Sequence, residues 1–262
     1  VPLGTTLAHA FSWRMIFYIF IFWSMFVFIS VWHFLPDPGK MEDKGFKNQF
    51  AFLKYKAPYL VGAAMLLGNG GIFCMLSYLS PFLTKLSNVP LPLVSVIMLA
   101  MGICMVLFNL FSGKLCDRFS PGKVSTIWIV LSTLILICIS LLGSIPYCAI
   151  PLVCLSGGML FATSAPLQML ILRVSTGGQL LGASCIQAAF NLGNALGAFI
   201  GGLVFIFALN LHFIPLFGSI ITFIGLICMY CFARFCEHKF SAEHPHTLPG
   251  NENFAENSKN AD

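Results

Sequence analysis

Apolar residues run through this chain in long unbroken blocks separated by short polar connectors. A hydrocarbon core of about 30 Å takes roughly 20 apolar residues in a helix. Measured against that length, the pattern predicts seven membrane spans, at about 14–35, 58–83, 91–112, 124–143, 147–170, 180–208 and 212–235. Helix is the state that satisfies each span's backbone groups internally. An open sheet would strand its edges in lipid, and the alternation of a barrel strand is missing. The predicted fold class is all-α, a polytopic membrane helix bundle. Pro81, Pro151, Pro166 and the Gly68–Gly71 run interrupt the spans, which is tolerable where neighbouring helices re-satisfy the freed backbone groups.

Composition agrees and narrows the classes. Hydrophobic residues make up 58% of the chain and charged residues 9%, with a mean hydropathy of +0.90. A soluble domain carries roughly a quarter of its residues charged, so the main solvent here is lipid bilayer. The net charge of +5 sits in the connectors rather than along one face, which excludes a nucleic-acid partner. With the first span entering from outside, Lys40, Lys44, Lys47, Lys54, Lys56, Lys114, Arg118, Lys123, Arg173, Arg234 and Lys239 fall inside, and only Arg14 and Lys85 outside. That bias predicts a multi-pass protein of the bacterial inner membrane with a cytoplasmic C-terminus.

The connectors also divide the chain. Val1 to Ala10 reads as the last turns of an earlier helix, so the chain is expected to lack its beginning. Residues 1–35 then hold the end of an N-terminal bundle, 36–57 a central cytoplasmic loop, 58–236 a six-helix bundle, and 237–262 a polar, disordered tail.

Chemistry inside the spans is sparse. Asp117 is the one acid between Asp43 and Glu237, and His33 and His212 stand at span ends. The spans hold no carboxylate that could relay a proton, so either such a group lies in helices outside this chain or no proton is coupled. The informative polar groups are amides. Gln187, Asn191 and Asn194 share one stripe of the sixth span, and Asn69 lies in the middle of the second. Uncharged amides can bind hydroxylated or amide-bearing small molecules, or they can hold helices together. All four are candidate substrate-binding residues. Gly193, Gly197 and Gly201 form a small-residue stripe beside them, suited to close helix contact. Asn109 reads as helix glue. The cysteines behave as small apolar residues, no phosphate loop or nucleophile–base set is present, and neither a cofactor, a metal nor an enzymatic reaction is expected.

The stretch Gly113-Lys114-Leu115-Cys116-Asp117-Arg118-Phe119-Ser120-Pro121-Gly122-Lys123 is expected to fill the inside turn between the third and fourth spans. Gly113 would allow close packing, and Gly122 a tight turn. This resembles the G-x-L-x-D-R-x-G-R-K loop of the major facilitator superfamily, with Ser120 where the pattern often has Gly and Pro121-Gly122 in place of a basic residue. Phe11-Ser12-Trp13-Arg14, Gly68-Asn69-Gly70-Gly71, Ser77-Tyr78-Leu79-Ser80-Pro81 and Gln187-Ala188-Ala189-Phe190-Asn191-Leu192-Gly193-Asn194 add to the likeness. Together they resemble its arabinose efflux permease branch, among the drug- and sugar-efflux proton antiporters. The resemblance implies that the spans are helices six to twelve of a twelve-helix carrier, with an N-terminal helix bundle as partner. It implies export of sugars or small amphiphiles by alternating access, and a gating loop at Gly113, Asp117, Arg118 and Lys123. The competing reading is a membrane remnant that does not transport.

The Lys/Arg asymmetry makes a direct prediction. A reporter active only outside the membrane should be active when fused after Thr84 or Leu209, and silent after Met41 or Ser120. The opposite pattern would invert the topology.

Overall fold

The computed structural model describes residues 12–34 and 50–234. The expected helix end at Val1–Ala10, most of the central loop and the tail lie outside the described residues. Seven helices are long and apolar enough to cross a membrane. They are α1 (Trp13–Phe34), α2 (Lys56–Ser77), α3 (Leu91–Arg118), α4 (Pro121–Leu142), α5 (Pro146–Val174), α6 (Gln179–Ile206) and α7 (Phe213–Phe232). None of the residues in the most apolar window of α1 is buried. The core is built by α2 to α7.

Two expected boundaries move most, by six residues each. The second span was expected to run unbroken to residue 83, but α2 ends at Ser77. A short helical turn at Leu79–Pro81 and a π-helical turn at Phe82–Leu86 follow. Pro81 explains the break, because its ring collides with the carbonyl four residues back, that of Ser77. The third span was expected to stop near residue 112, yet α3 continues to Arg118. Its 28 residues measure about 42 Å at 1.5 Å each, well beyond the hydrocarbon core. Apolar length reports bilayer thickness, whereas the helix ends only where its backbone does.

Prolines within helices are accommodated as the bilayer requires. Pro166 lies inside α5 and cannot donate to the carbonyl of Ala162. The Ser112 hydroxyl of α3 donates to that carbonyl instead, at 2.7 Å. A lost bond within one helix thereby becomes a bond between two.

Contact pairs give the helix directions. Gly193, Gly197 and Gly201 of α6 meet Leu66, Gly70 and Cys74 of α2 and then Tyr78 just beyond it, in ascending order, so the two helices run parallel. Gly218 of α7 meets Gly71 and Gly225 meets Gly68, so α7 runs antiparallel to α2. Ser125 and Ser140 of α4 reach Met229 and His212, which makes α4 antiparallel to α7. Lys54, Lys56, Lys114, Arg118, Lys123, Arg173 and Arg234 therefore gather at one end of the bundle, and Lys85 lies at the other.

The closest contacts are backbone to backbone. A Cβ on Gly71 would run into Thr222 and the Gly218 carbonyl, and one on Gly197 into the Gly70 carbonyl. Around Gly102 a Cβ would meet nothing within 4 Å. Gly71→Ala should therefore destabilise the bundle by about 1–3 kcal/mol, the usual cost of overpacking. Gly102→Ala should be neutral or stabilising by up to about 1 kcal/mol, through helix propensity. Apparent melting temperatures of the two variants in detergent test this. Equal effects would mean that the seam is not what sets the packing.

Candidate functional site

The buried stripe of α6 is Gly182, Ile186, Gly193, Gly197, Gly201 and Val204. Gly193, Gly197 and Gly201 face α2 and its C-terminal end, whereas Gly182 faces Ser175 and Ile171. The amide stripe stands beside them, and its members divide by angle. At about 100° per residue, Asn194 points nearest the glycines and Asn191 farthest. Gln187 and Asn191 are exposed, whereas Asn194 is half-buried and its Oδ1 is enclosed without a hydrogen-bond partner. The structure therefore presents two free amides on one helix face and tucks the third under its edge.

Asn69 is placed differently. It is 0% exposed, inside the bundle between α2 and α5. Its Nδ2 donates to Ser164 Oγ at 3.0 Å and lies 3.0 Å from Met65 Sδ. Its Oδ1 is buried and unpartnered, as is Thr163 Oγ1 next to Ser164. The four expected binding residues thus do not share one surface. Gln187 and Asn191 look outward, Asn194 stands at the margin, and Asn69 braces α2 against α5. Asn109, expected as helix glue, is exposed on α3. Tyr78 is a polar group whose position only the structure shows. Its hydroxyl donates to the Ala198 carbonyl at 2.9 Å, and its ring lies over Gly201 and Gly202.

The expected gating loop is mostly helix. Gly113, Asp117 and Arg118 belong to the end of α3, only Phe119 and Ser120 form the turn, and Lys123 lies in the first turn of α4. Gly122 is also helical and buried, so the tight turn expected there is not made. The close packing expected at Gly113 is not made among the described residues either, since a Cβ there would meet nothing within 4 Å. Asp117, Arg118 and Lys123 are all exposed. Asp117 occupies the last turn of α3, where the helix's own terminal carbonyls oppose an anion. It forms no hydrogen bond or ion pair with another described residue.

The candidate site consists of an amide-bearing face on α6 and, at the basic end, a carboxylate unpaired among the described residues. An exposed amide is costly against hydrocarbon. The α6 face is therefore suited to a polar cavity or another polar surface. In the full-length protein with native cysteines replaced, a cysteine at 187 or 191 should react with a membrane-impermeant thiol reagent. A bound substrate should slow that reaction. Inert cysteines at both positions in a well-expressed protein would mean that this face packs against lipid or protein.

Known proteins resemble the chain as a whole in sequence. A family model described as Major Facilitator Superfamily matches residues 1–183. The chain is 34% identical over 237 residues to the putative transporter AraJ of Escherichia coli strain K12, covering 90% of this chain and 60% of that protein. It is 30% identical over 236 residues to the inner membrane transport protein YdhP of the same strain, covering 89% and 60%. A probable sugar efflux transporter of Mannheimia succiniciproducens is 23% identical over 204 residues, covering 78% and 51%. The chain thus spans about 60% of the length of the first two relatives.

Proposed function

This chain belongs to the Major Facilitator Superfamily, and we propose that it forms the C-terminal side of a secondary active transporter. The transporter exports sugars or small amphiphilic compounds by alternating access, with proton antiport as its coupling. The observation that carries this reading is the pair Gln187 and Asn191, exposed on a membrane-spanning helix whose neighbouring stripe is locked into the bundle by glycines. Amides donate and accept hydrogen bonds without carrying charge, which suits a hydroxyl-rich ligand passing between two helix bundles. Relatives named as probable sugar efflux transporters support the substrate class.

In this reading α1 belongs with an N-terminal helix bundle, the bundle over 58–236 is the second lobe, and residues 36–57 and 237–262 are the cytoplasmic loop and tail. The exposed helix α1, with no buried residue in its most apolar window, supports that division. The basic end of α2–α7 faces the cytoplasm, because Lys and Arg concentrate on that side of inner-membrane proteins. The coupling carboxylate lies outside α2–α7, whose one acid is Asp117 at the cytoplasmic end. Gly113, Asp117, Arg118 and Lys123 form the inside gate, docking on a helix end of the other lobe.

A contact made in only one of two states biases their balance by its own free energy, and about 1.4 kcal/mol is about tenfold. In the full-length carrier, Asp117→Asn should insert normally, lower export of a radiolabelled sugar several-fold and raise inside-open accessibility to thiol reagents, with Asp117→Glu between. Wild-type export with unchanged accessibility would reduce this end to a topology signal. An absence of export of any sugar or amphiphile by the wild type would remove the function itself.

A further inference from the structure

Hydroxyls inside the helices of this bundle follow one habit. Thr126, Ser132, Thr133, Ser164 and Thr222 each donate to the carbonyl four residues back in their own helix. That bond satisfies a serine or threonine where no solvent reaches it. Thr163 of α5 does not make it. The residue is 0% exposed, and its Oγ1 is enclosed without a hydrogen-bond partner.

Asn69 of α2 supplies a second such atom. Ser164 uses its one hydroxyl hydrogen on the Leu160 carbonyl, at 2.7 Å, so it can only accept from the amide. This fixes which way the amide is turned. Its nitrogen faces Ser164 at 3.0 Å, and its oxygen, on the other side of the group, is buried and unpartnered. Thr163 and Ser164 are consecutive, so an acceptor and a hydroxyl are left open at one level of the bundle. The indole nitrogen of Trp128 is also buried without a partner, but its ring lies against Phe108 and Phe111 of α3, and it is not counted with them.

There is room beside these two residues. Gly68 is buried and directly precedes Asn69. A Cβ added to it would meet Ile129 of α4 at 3.6 and 3.7 Å and the Thr163 methyl at 3.9 Å, and nothing closer. These are ordinary van der Waals distances, whereas a Cβ on Gly70, Gly71, Gly193 or Gly197 would collide with a neighbour. A space that admits a methyl group also admits a water oxygen, which is smaller. Residues 57–84 and 124–172, which hold all three walls of this space, carry no Asp, Glu, Lys, Arg or His. A ligand here is therefore neutral, polar and very small.

We propose that the bundle core binds one water molecule beside Gly68, which donates to Asn69 Oδ1 and accepts from the Thr163 hydroxyl. Two polar partners are within the two to four that a buried water typically has, about three on average. The water replaces the bond that Thr163 does not make within its own helix. With the direct bond from Asn69 to Ser164, it lets one amide of α2 hold two successive residues of α5.

Radiolytic hydroxyl-radical labelling of the full-length protein in detergent tests this, because a radical formed from a bound water oxidises the side chain next to it. Met65 is 0% exposed, and its Sδ lies 3.0 Å from Asn69 Nδ2. Met75 of the same helix is equally buried, and its sulfur has no hydrogen-bond contact among the described residues. Met65 should be oxidised several times faster than Met75. Gly68→Ala puts a methyl into the space, and Thr163→Val removes the hydroxyl at nearly constant shape. Each should bring Met65 down to the rate of Met75. Thr163→Val should also lower the apparent Tm, whereas removal of a hydroxyl that nothing satisfies would raise it. Equal rates at the two methionines in the wild type, unchanged oxidation of Met65 in either variant, or a raised Tm in Thr163→Val would overturn the water site and leave the transporter reading intact. The wild-type comparison stands even if neither variant folds.

Discussion

The bundle depends on one close approach, that of α2 to α6 on one side and α7 on the other. Helices in lipid gain nothing from burying apolar surface against each other, since the surrounding tails are equally apolar. What remains is dispersion, which falls away with every fraction of an ångström, and a few interhelical hydrogen bonds. Glycine removes the one group that holds two backbones apart. Gly70 and Gly71 on α2 meet Gly193, Gly197 and Gly218 on the two neighbours in contacts no Cβ could enter, and a Cβ on Gly225 would run into the Gly68 backbone. Thr222 follows the same logic, its hydroxyl donating to the Gly218 carbonyl of its own helix at 2.9 Å while it lies against α2.

That seam sets what the rest of α6 can do. Once Gly193, Gly197 and Gly201 face α2, the rotation of the helix is settled, and Gln187 and Asn191 must point away from the seam. The same constraint explains Asn194, the stripe member nearest the glycines, whose oxygen is caught beneath the edge. Asn69 shows the opposite case. It belongs to the seam helix, but it projects toward α5, where Ser164 accepts its N–H while donating to the Leu160 carbonyl at 2.7 Å. An amide wholly inside the bundle fixes helices, and an amide on its surface remains available to something else.

The sequence and the structure agree wherever physics leaves a one-dimensional trace. Span number and helical state follow from apolar length, and the Gly193–Gly201 stripe follows from its four-residue spacing. Span ends do not, because the α3 helix runs past the apolar segment to Arg118. The break after Ser77 was legible in principle, since Pro81 names the carbonyl it displaces. The burial of Asn69 was not. In a soluble helix the apolar stripe tells inside from outside, but here both solvent and core are apolar, so periodicity says little about which way a residue faces. Likewise nothing in the spacing of Ser140, Ser144 and His212 announces that they meet, because the pairing depends on which helices become neighbours.

The two ends of the bundle are finished with different chemistry, and the difference bears on where a two-state carrier can store its bias. At the His212 end, Ser87 and His212 cap carbonyls that a helix terminus leaves unpaired, and the turn at 82–87, the end of α4 and the start of α7 are tied together. Such bonds lie wholly within one bundle. If the bundle moves as a rigid body, they are present in both states and favour neither. At the basic end, Asp117 is set against its own helix dipole with no partner among the described residues, and a Cβ on Gly113 would meet no described atom within 4 Å. A group left unsatisfied within its own lobe is the kind that can be satisfied by another lobe in one state and not in the other. In the proposed transport cycle the free-energy difference between inside-open and inside-closed forms therefore belongs at the end where the bundle is least complete. In that proposed cycle the glycine seam and the capped end would be the rigid part of the bundle, against which a contact at the basic end acts.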